Sequence, residues 1–351
     1  MSWASRHFFP ESKDVWSVYY PLVARAVAGE ERVKKAFRRP NLLEPLLVSS
    51  PMTEGRYLPP LAIDGPAGDA AREYAIRQRR YSKYIVYVYT PLLAAVLWYL
   101  TDVYLTASWL AFGVVVASYL HYDTSSLQSP RVLQERALFY GWMFCQSRRY
   151  IAGSATFFAG IGLIQLALNY RFGSNEATLE RFGLLYSSVS GNGEWWRLLT
   201  GPFLHHSLAH WLGNLAIGLG LFALCGPLLR GRLPLLVTMS AIGSFVTVYA
   251  AHGVEPNIGD GIIGLSGGLG GLLGWLVVSA LRFPKLYPRH FFLTASYFAL
   301  ITLILFPAFT SVGTLICHAS GMTLGGIVAL FSGKPSFASA SQDSPRVKES
   351  L

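Results

Sequence analysis

The chain has 351 residues, 52% hydrophobic and only 14% charged, where a soluble domain usually carries about a quarter charged residues. That balance excludes an ordinary soluble enzyme and describes an integral membrane protein. A net charge of +10 raises nucleic acid as a partner, but Lys and Arg gather at one side of the apolar runs, as on the cytoplasmic flanks of membrane proteins, so no nucleic acid is expected.

Residues 1–83 are polar, basic and aromatic. Residues 30–39 read as a charged helix ending at Pro40, the Pro- and Gly-rich stretch 51–69 as a linker, and 70–83 as a basic helix leading into the membrane. The plainest reading is a solvated cytoplasmic region with some attraction to anionic lipid. The first apolar run begins near Tyr84, so that span would itself act as the membrane signal. The run 84–120 is too long for one helix of about 20 residues and just long enough for two. Arg77, Arg79, Arg80 and Lys83 precede it, and Arg131, Arg136, Arg148 and Arg149 follow it. Both flanks therefore lie on one side, which predicts a transmembrane hairpin with Asp102 at its outer tip.

After a cytoplasmic linker at 121–150, six more runs follow at 151–169, 204–226, 233–251, 262–281, 291–309 and 313–331. Arg230 and Arg232, then Arg282, Lys285 and Arg289, then Lys334 mark alternate connections as basic, whereas 252–261 and 307–314 hold no Lys or Arg. The predicted fold is an all-α polytopic membrane protein of eight spans: a hairpin at 84–120, then a six-helix core at 151–331. A bacterial inner membrane with both termini cytoplasmic fits this pattern. The long loop 170–203 lies outside, with Trp195, Trp196 and Arg197 suited to the headgroup layer. The tail 332–351 reads as disordered. Cys145, Cys225 and Cys317 are far apart and have neither metal-ligand nor disulfide spacing.

The spans starting at 204, 262 and 313 all run inward from the outer side. His210, Ser266 and His318 stand a few residues into them, roughly 6–9 Å below the surface at 1.5 Å per residue. Ionisable groups within spans usually mark function. Gly267 and Gly271, Gly270 and Gly274, and Gly321 and Gly325 form small-x-x-x-small pairs that let backbones approach closely. A serine within hydrogen-bond reach of an imidazole is an activated nucleophile. No Asp or Glu lies at this depth, so the expectation is a dyad of Ser266 and His318. Asn214 follows His210 by one turn, on the same helix face, and His205 lies nearer the surface. These side chains, with the Ser266 N–H at a helix start, would stabilise an oxyanion. Each piece alone has an ordinary explanation, since serines and glycines are common in packed membrane helices; the agreement of depth and side is what points to a hydrolase. His206, His252 and His290 read as wet loop-edge residues.

On these residues the chain resembles the rhomboid intramembrane serine proteases. The matching pieces are Trp196-Arg197, His205 with His210-x-x-x-Asn214, Gly264-x-Ser266-Gly267, and His318-x-x-Gly321-x-x-x-Gly325. The resemblance covers about residues 150–331. It implies cleavage of single-pass transmembrane substrates near the outer face, with Ser266 as nucleophile, His318 as general base, and His210 and Asn214 on the oxyanion. It further implies no metal or cofactor, and gating by the helix at 291–309. Two positions depart from the family: Gly270 replaces a common aromatic residue, and Cys317 replaces alanine. A water-filled cavity lined by His205, His210, Asn214, Ser266 and His318 is expected, because hydrolysis needs water at this depth. The competing readings are a catalytically inactive rhomboid-like protein that binds membrane clients, and a small-solute transporter, which would favour an internal repeat.

Overall fold

The computed structural model describes residues 9–100, 103–126, 129–253, 260–305 and 312–335. The expected hairpin tip at Asp102, most of the loops 252–261 and 307–314, and the tail beyond 335 lie outside them. The helices are α1 (Glu30–Arg38), α2 (Pro66–Leu100), α3 (Val103–Ser126), α4 (Pro130–Phe172), α5 (Asn175–Phe182), α6 (Tyr186–Asn192), α7 (Arg197–Thr200), α8 (Leu208–Leu229), α9 (Leu233–His252), α10 (Ser266–Arg282), α11 (Phe291–Leu305) and α12 (Val312–Phe331). Short strands are β1 (Ser17–Tyr20), β2 (Arg25–Ala28), β3 (Leu47–Ser49), β4 (Leu184–Leu185) and β5 (Gly261–Ile262).

The region before α2, expected as a solvated segment, contains a small folded unit. Strands β1, β2 and β3 form an antiparallel sheet in the order β2-β1-β3. Val18, Val33, Val48 and Ile63 close a small core between sheet and α1. Residues 51–69, expected as a linker, instead hold two tight 3-10 turns that bury Leu61, Ala62 and Ile63. Arg72 donates from Nη1 to the carbonyls of Leu61 at 3.1 Å and Ile63 at 2.8 Å. Proline punctuation reads alike for a slack linker and for a pinned turn; the packing partner that decides between them lies elsewhere in the chain.

The 121–150 stretch is likewise not a free linker. From Pro130 the chain enters α4 and stays helical for 43 residues to Phe172, where Gly173 at φ 89° ends it. The change from charged to apolar residues along α4 marks a change of solvent, and the backbone does not break there. Leu133 and Ala137 on its first turns pack against Leu61 and Ala71.

Helices α2 and α3 pack against each other, and Gly113 permits their approach. A Cβ there would meet Thr90 Cγ2 at 1.9 Å. Asp123 is fully buried and pairs with Arg79 of α2 and Arg136 of α4, so one carboxylate ties three helices. Removing the centre of such a buried pair leaves uncompensated charge and costs about 3–5 kcal/mol. Asp123→Ala is therefore expected to loosen this junction, read as a lower unfolding temperature in detergent. Helix α3 also packs on α11, with Ser118 Oγ 2.9 Å from Tyr297 Oη.

Helix α10 is the centre of the remaining bundle, in contact with α8, α9, α11 and α12. Its run from Gly267 to Leu276 is buried. Among the described residues, three helical stretches are long and apolar enough to cross a membrane: Pro130–Phe172, Leu208–His252 and Val312–Phe331. The second comprises α8 and α9 with a basic turn at Arg230–Arg232. A shorter apolar helix covers Phe291–Leu303.

Candidate active site

The site is built where α10 and α12 cross. A Cβ on Gly321 would stand 2.1 Å from the carbonyl oxygen of Gly267, and one on Gly325 would stand 1.8 Å from that of Gly271. Gly274 meets the carbonyl of Met322 in the same way, at 1.9 Å. The two backbones therefore touch without side chains between them, along the expected glycine pairs. Ser266 begins α10 directly before Gly267, and His318 lies one turn before Gly321. At Gly270 the added Cβ would lie 3.1 Å from the His318 carbonyl oxygen. A side chain at 270 would therefore press on the α12 backbone.

His318 is 2% exposed, and Ser266 is half-buried. The neighbouring Cys317 thiol donates to Ser244 Oγ of α9 at 3.4 Å. Ser244 in turn presses on the space above Gly267, where a Cβ would be 2.0 Å from its Oγ. Helix α9 thus closes the seam from behind.

The segment leading into Ser266 is held from two sides. Strands β4 and β5 pair Leu184 with Ile262 and Leu185 with Gly261. Gly264 N–H donates to the Gly201 carbonyl at 3.2 Å. Gly264 has φ +114°, a conformation that disfavours any side chain, and a Cβ there would collide with His210 at 2.6 Å from Cε1 and 2.9 Å from Nε2. Asn214 Nδ2 lies 3.7 Å from the same point. Glycine at 264 therefore lets the α8 face carrying His210 and Asn214 reach the peptide that precedes Ser266. Ser266 starts its helix, and the first N–H groups of a helix have no intrahelical acceptor.

The loop between α4 and α8 is a folded layer. Buried Arg197 donates from Nη1 to the carbonyls of Glu180 at 2.8 Å and Gly183 at 2.7 Å, and pairs through Nε with Glu194. Its guanidinium also covers the ring of Trp196, which packs edge-on against Phe182. Trp196 and Arg197 thereby brace the loop that positions β4, and neither reaches Ser266 in these contacts. Trp195 is exposed and meets Tyr249.

His205 is buried and accepts at Nε2 from Asn214 Nδ2 at 3.0 Å. Its backbone is gripped by Gln165 of α4, which accepts from His205 N–H at 2.9 Å and donates to its carbonyl at 2.6 Å. Asn175 donates to the His206 carbonyl at 2.9 Å. His206 is exposed at the loop edge, as expected, and its Nδ1 lies 2.9 Å from His210 Nδ1. Sequence reasoning missed Gln165, Asn175 and His206. Gln165 carried a signal, since a carboxamide inside an apolar run is costly without a partner. His252 stacks on Tyr186 with ring centres 4.3 Å apart, and His290 packs edge-on against Tyr122; both are structural.

One of the five residues expected to line a water-filled cavity, His205, lines one. A cavity of about 630 Å³ lies between α4 and α8, lined by His205 and His206 with Gln165, Asn169 and Asn175. Ser266 and His318 do not line this cavity. No group of metal-ligating side chains occurs among the described residues.

Residues 192–335 match the family described as the Rhomboid domain. The chain is 33% identical over 122 residues to the rhomboid protease GluP of Bacillus subtilis (strain 168), a match covering 33% of this chain and 22% of that protein. It is 35% identical over 97 residues to a second protein of the same organism, named "Putative rhomboid protease YdcA", covering 25% of this chain and 43% of that one. The chain thus spans less than half the length of these relatives. The family match and the three long apolar helical stretches describe an integral membrane protein.

Proposed function

We propose that the chain, whose residues 192–335 match the Rhomboid domain family, is an intramembrane serine endopeptidase cutting transmembrane segments of membrane-protein substrates. Ser266 is the nucleophile and His318 the general base. His318 takes the hydroxyl proton as Ser266 Oγ attacks the scissile carbonyl, then gives it to the leaving amine; water repeats the sequence to release the acyl group. The developing oxyanion lies among the Ser266 N–H, His210 and Asn214, with His205 orienting the Asn214 amide. The observation that carries this reading is the double approach at one place: His210 beside Gly264, and Gly321 against Gly267.

In this reading the polypeptide crosses the membrane eight times, with α2 and α3 as the added hairpin and both termini on the basic side. A bacterial inner membrane suits that arrangement. A substrate helix must unwind before Ser266 can reach its carbonyl, so helix-breaking residues near the scissile bond favour cleavage. The decisive experiment is labelling of the full chain by a serine-reactive fluorophosphonate. Labelling that vanishes in Ser266→Ala and in His318→Ala supports the protease; labelling unchanged in Ser266→Ala rejects it in favour of a client-binding protein.

Asn214→Ala removes one oxyanion donor and the partner of His205 Nε2 together. The expected loss in kcat is on the order of 10²–10³-fold, with substrate binding retained. Single-turnover cleavage of a reconstituted substrate measures it.

A further inference from the structure

His206 lies outside the motifs on which the protease reading stands, yet its ring is in direct hydrogen-bond contact with His210. The contact matters because a neutral imidazole holds one hydrogen, and the bond made by one ring nitrogen decides the state of the other. Only one tautomer of His210 can donate from Nε2, the atom that faces Gly264.

Three contacts bear on which tautomer that is. Ser207 is the N-cap of α8, and its Oγ accepts from His210 N–H at 3.2 Å. The hydroxyl then has one hydrogen to give, and His206 Nε2 lies 3.3 Å away. The hydroxyl oxygen also keeps a second lone pair, so two directions fit these contacts. In the one where Ser207 donates, His206 Nε2 accepts and neutral His206 carries its hydrogen on Nδ1. That nitrogen is 2.9 Å from His210 Nδ1, so His206 then donates and His210 accepts. Only that direction leaves His210 a hydrogen on Nε2. If His206 takes up a second proton, Nδ1–H is still the donor, so the output at His210 is the same. The backbone of His206 is held by the Asn175 amide.

We infer that His206, with Ser207, is a positioning residue that keeps the hydrogen of His210 on Nε2, ready to donate to the oxyanion. This rests on the protease reading for its purpose, though the tautomer itself does not. No proton moves along the chain during the reaction; the inferred direction is a resting state.

The test uses two variants of similar size in the full chain. In His206→Asn the side-chain amide still donates to His210 Nδ1. In His206→Asp the carboxylate only accepts, so neutral His210 must turn its hydrogen to Nδ1 and present a lone pair from Nε2. His206→Asn is expected to keep kcat within about threefold of wild type. His206→Asp is expected to lose on the order of 10²-fold in kcat at neutral and alkaline pH, the scale of one oxyanion donor, with KM little changed. Its activity should recover toward acid pH, where a second proton on His210 restores Nε2–H. The other titratable groups around His210 are His205 before α8 and His318 on α12, and Glu176 lines the cavity shared with His206. All three are common to both variants, so the difference between the two profiles isolates His206.

Nitrogen-15 spectra of histidine-labelled wild type should show His210 protonated at Nε2. Equal losses and matching pH profiles in the two variants, or a wild-type His210 protonated at Nδ1, would overturn the inference. A wild type that neither cuts substrate nor labels at Ser266 would instead end the protease reading, and the nitrogen-15 result would still decide the tautomer.

Discussion

Ser266→Ala and His318→Ala are each expected to lower substrate cleavage by about 10⁴-fold or more, and the double variant to fall no further. The reason for the plateau is that a nucleophile and its base act as one unit: once either is gone, the other has no proton to exchange. The placement of the pair makes the two losses comparable. Ser266 opens α10 immediately before Gly267, and His318 stands one turn from Gly321, the residue whose Cβ would touch the Gly267 carbonyl oxygen at 2.1 Å. Folding of Ser266→Ala should be unaffected, because Ser266 is half-buried at a helix start. Cleavage of a reconstituted transmembrane substrate, with melting temperatures measured alongside, gives the result. Additive losses in the double variant would mean that the two side chains act in separate steps.

The second large effect concerns the glycine seam. Gly325→Ala would set a methyl 1.8 Å from the Gly271 carbonyl oxygen, and Gly321→Ala one at 2.1 Å from that of Gly267. Ordinary contact needs about 3.5 Å, and both atoms in question are backbone, so no side chain can turn aside. The helices must separate, and overpacking on this scale costs about 3 kcal/mol or more. Gly220→Ala is the matched control, since a Cβ on Gly220 meets nothing within 4 Å and alanine is the better helix former. Unfolding measured in detergent should show a large drop for the two seam variants and none for the control. Any seam variant that still folds should lose activity, because separation of α10 from α12 parts Ser266 from His318.

The seam was legible in the sequence because its signal is local. Three glycine pairs at four-residue spacing say that two helices meet closely, and the order of His210, Ser266 and His318 along inward-running spans says which ones. The helical, membrane-embedded character followed from composition with equal ease. Other parts depend on partners far away in the chain. The turns around Pro51 and Pro60 read as slack until α4 supplies a surface for Leu61. The linker before the first core span read as separate because charge was taken for a break, whereas α4 runs straight through it. His206 was passed over because an exposed histidine at a loop edge is usually idle; its importance lies in a ring-to-ring contact that spacing alone does not reveal. Gln165 was visible as a polar intruder in an apolar run, but its grip on the His205 backbone comes from the way the chain returns after α5.

Helix α4 has a mechanical consequence. At 1.5 Å per residue its 43 residues make a rod about 65 Å long, roughly twice the depth of a hydrocarbon layer of about 30 Å. About half of it must stand clear of the lipid, and the small sheet domain is fastened to that half. Gln165, at the other end, holds the turn that carries His205. A tilt forced on the lipid-free end by anything that grasps the sheet domain is carried without a joint to the histidine turn, so the two ends of α4 share one lever.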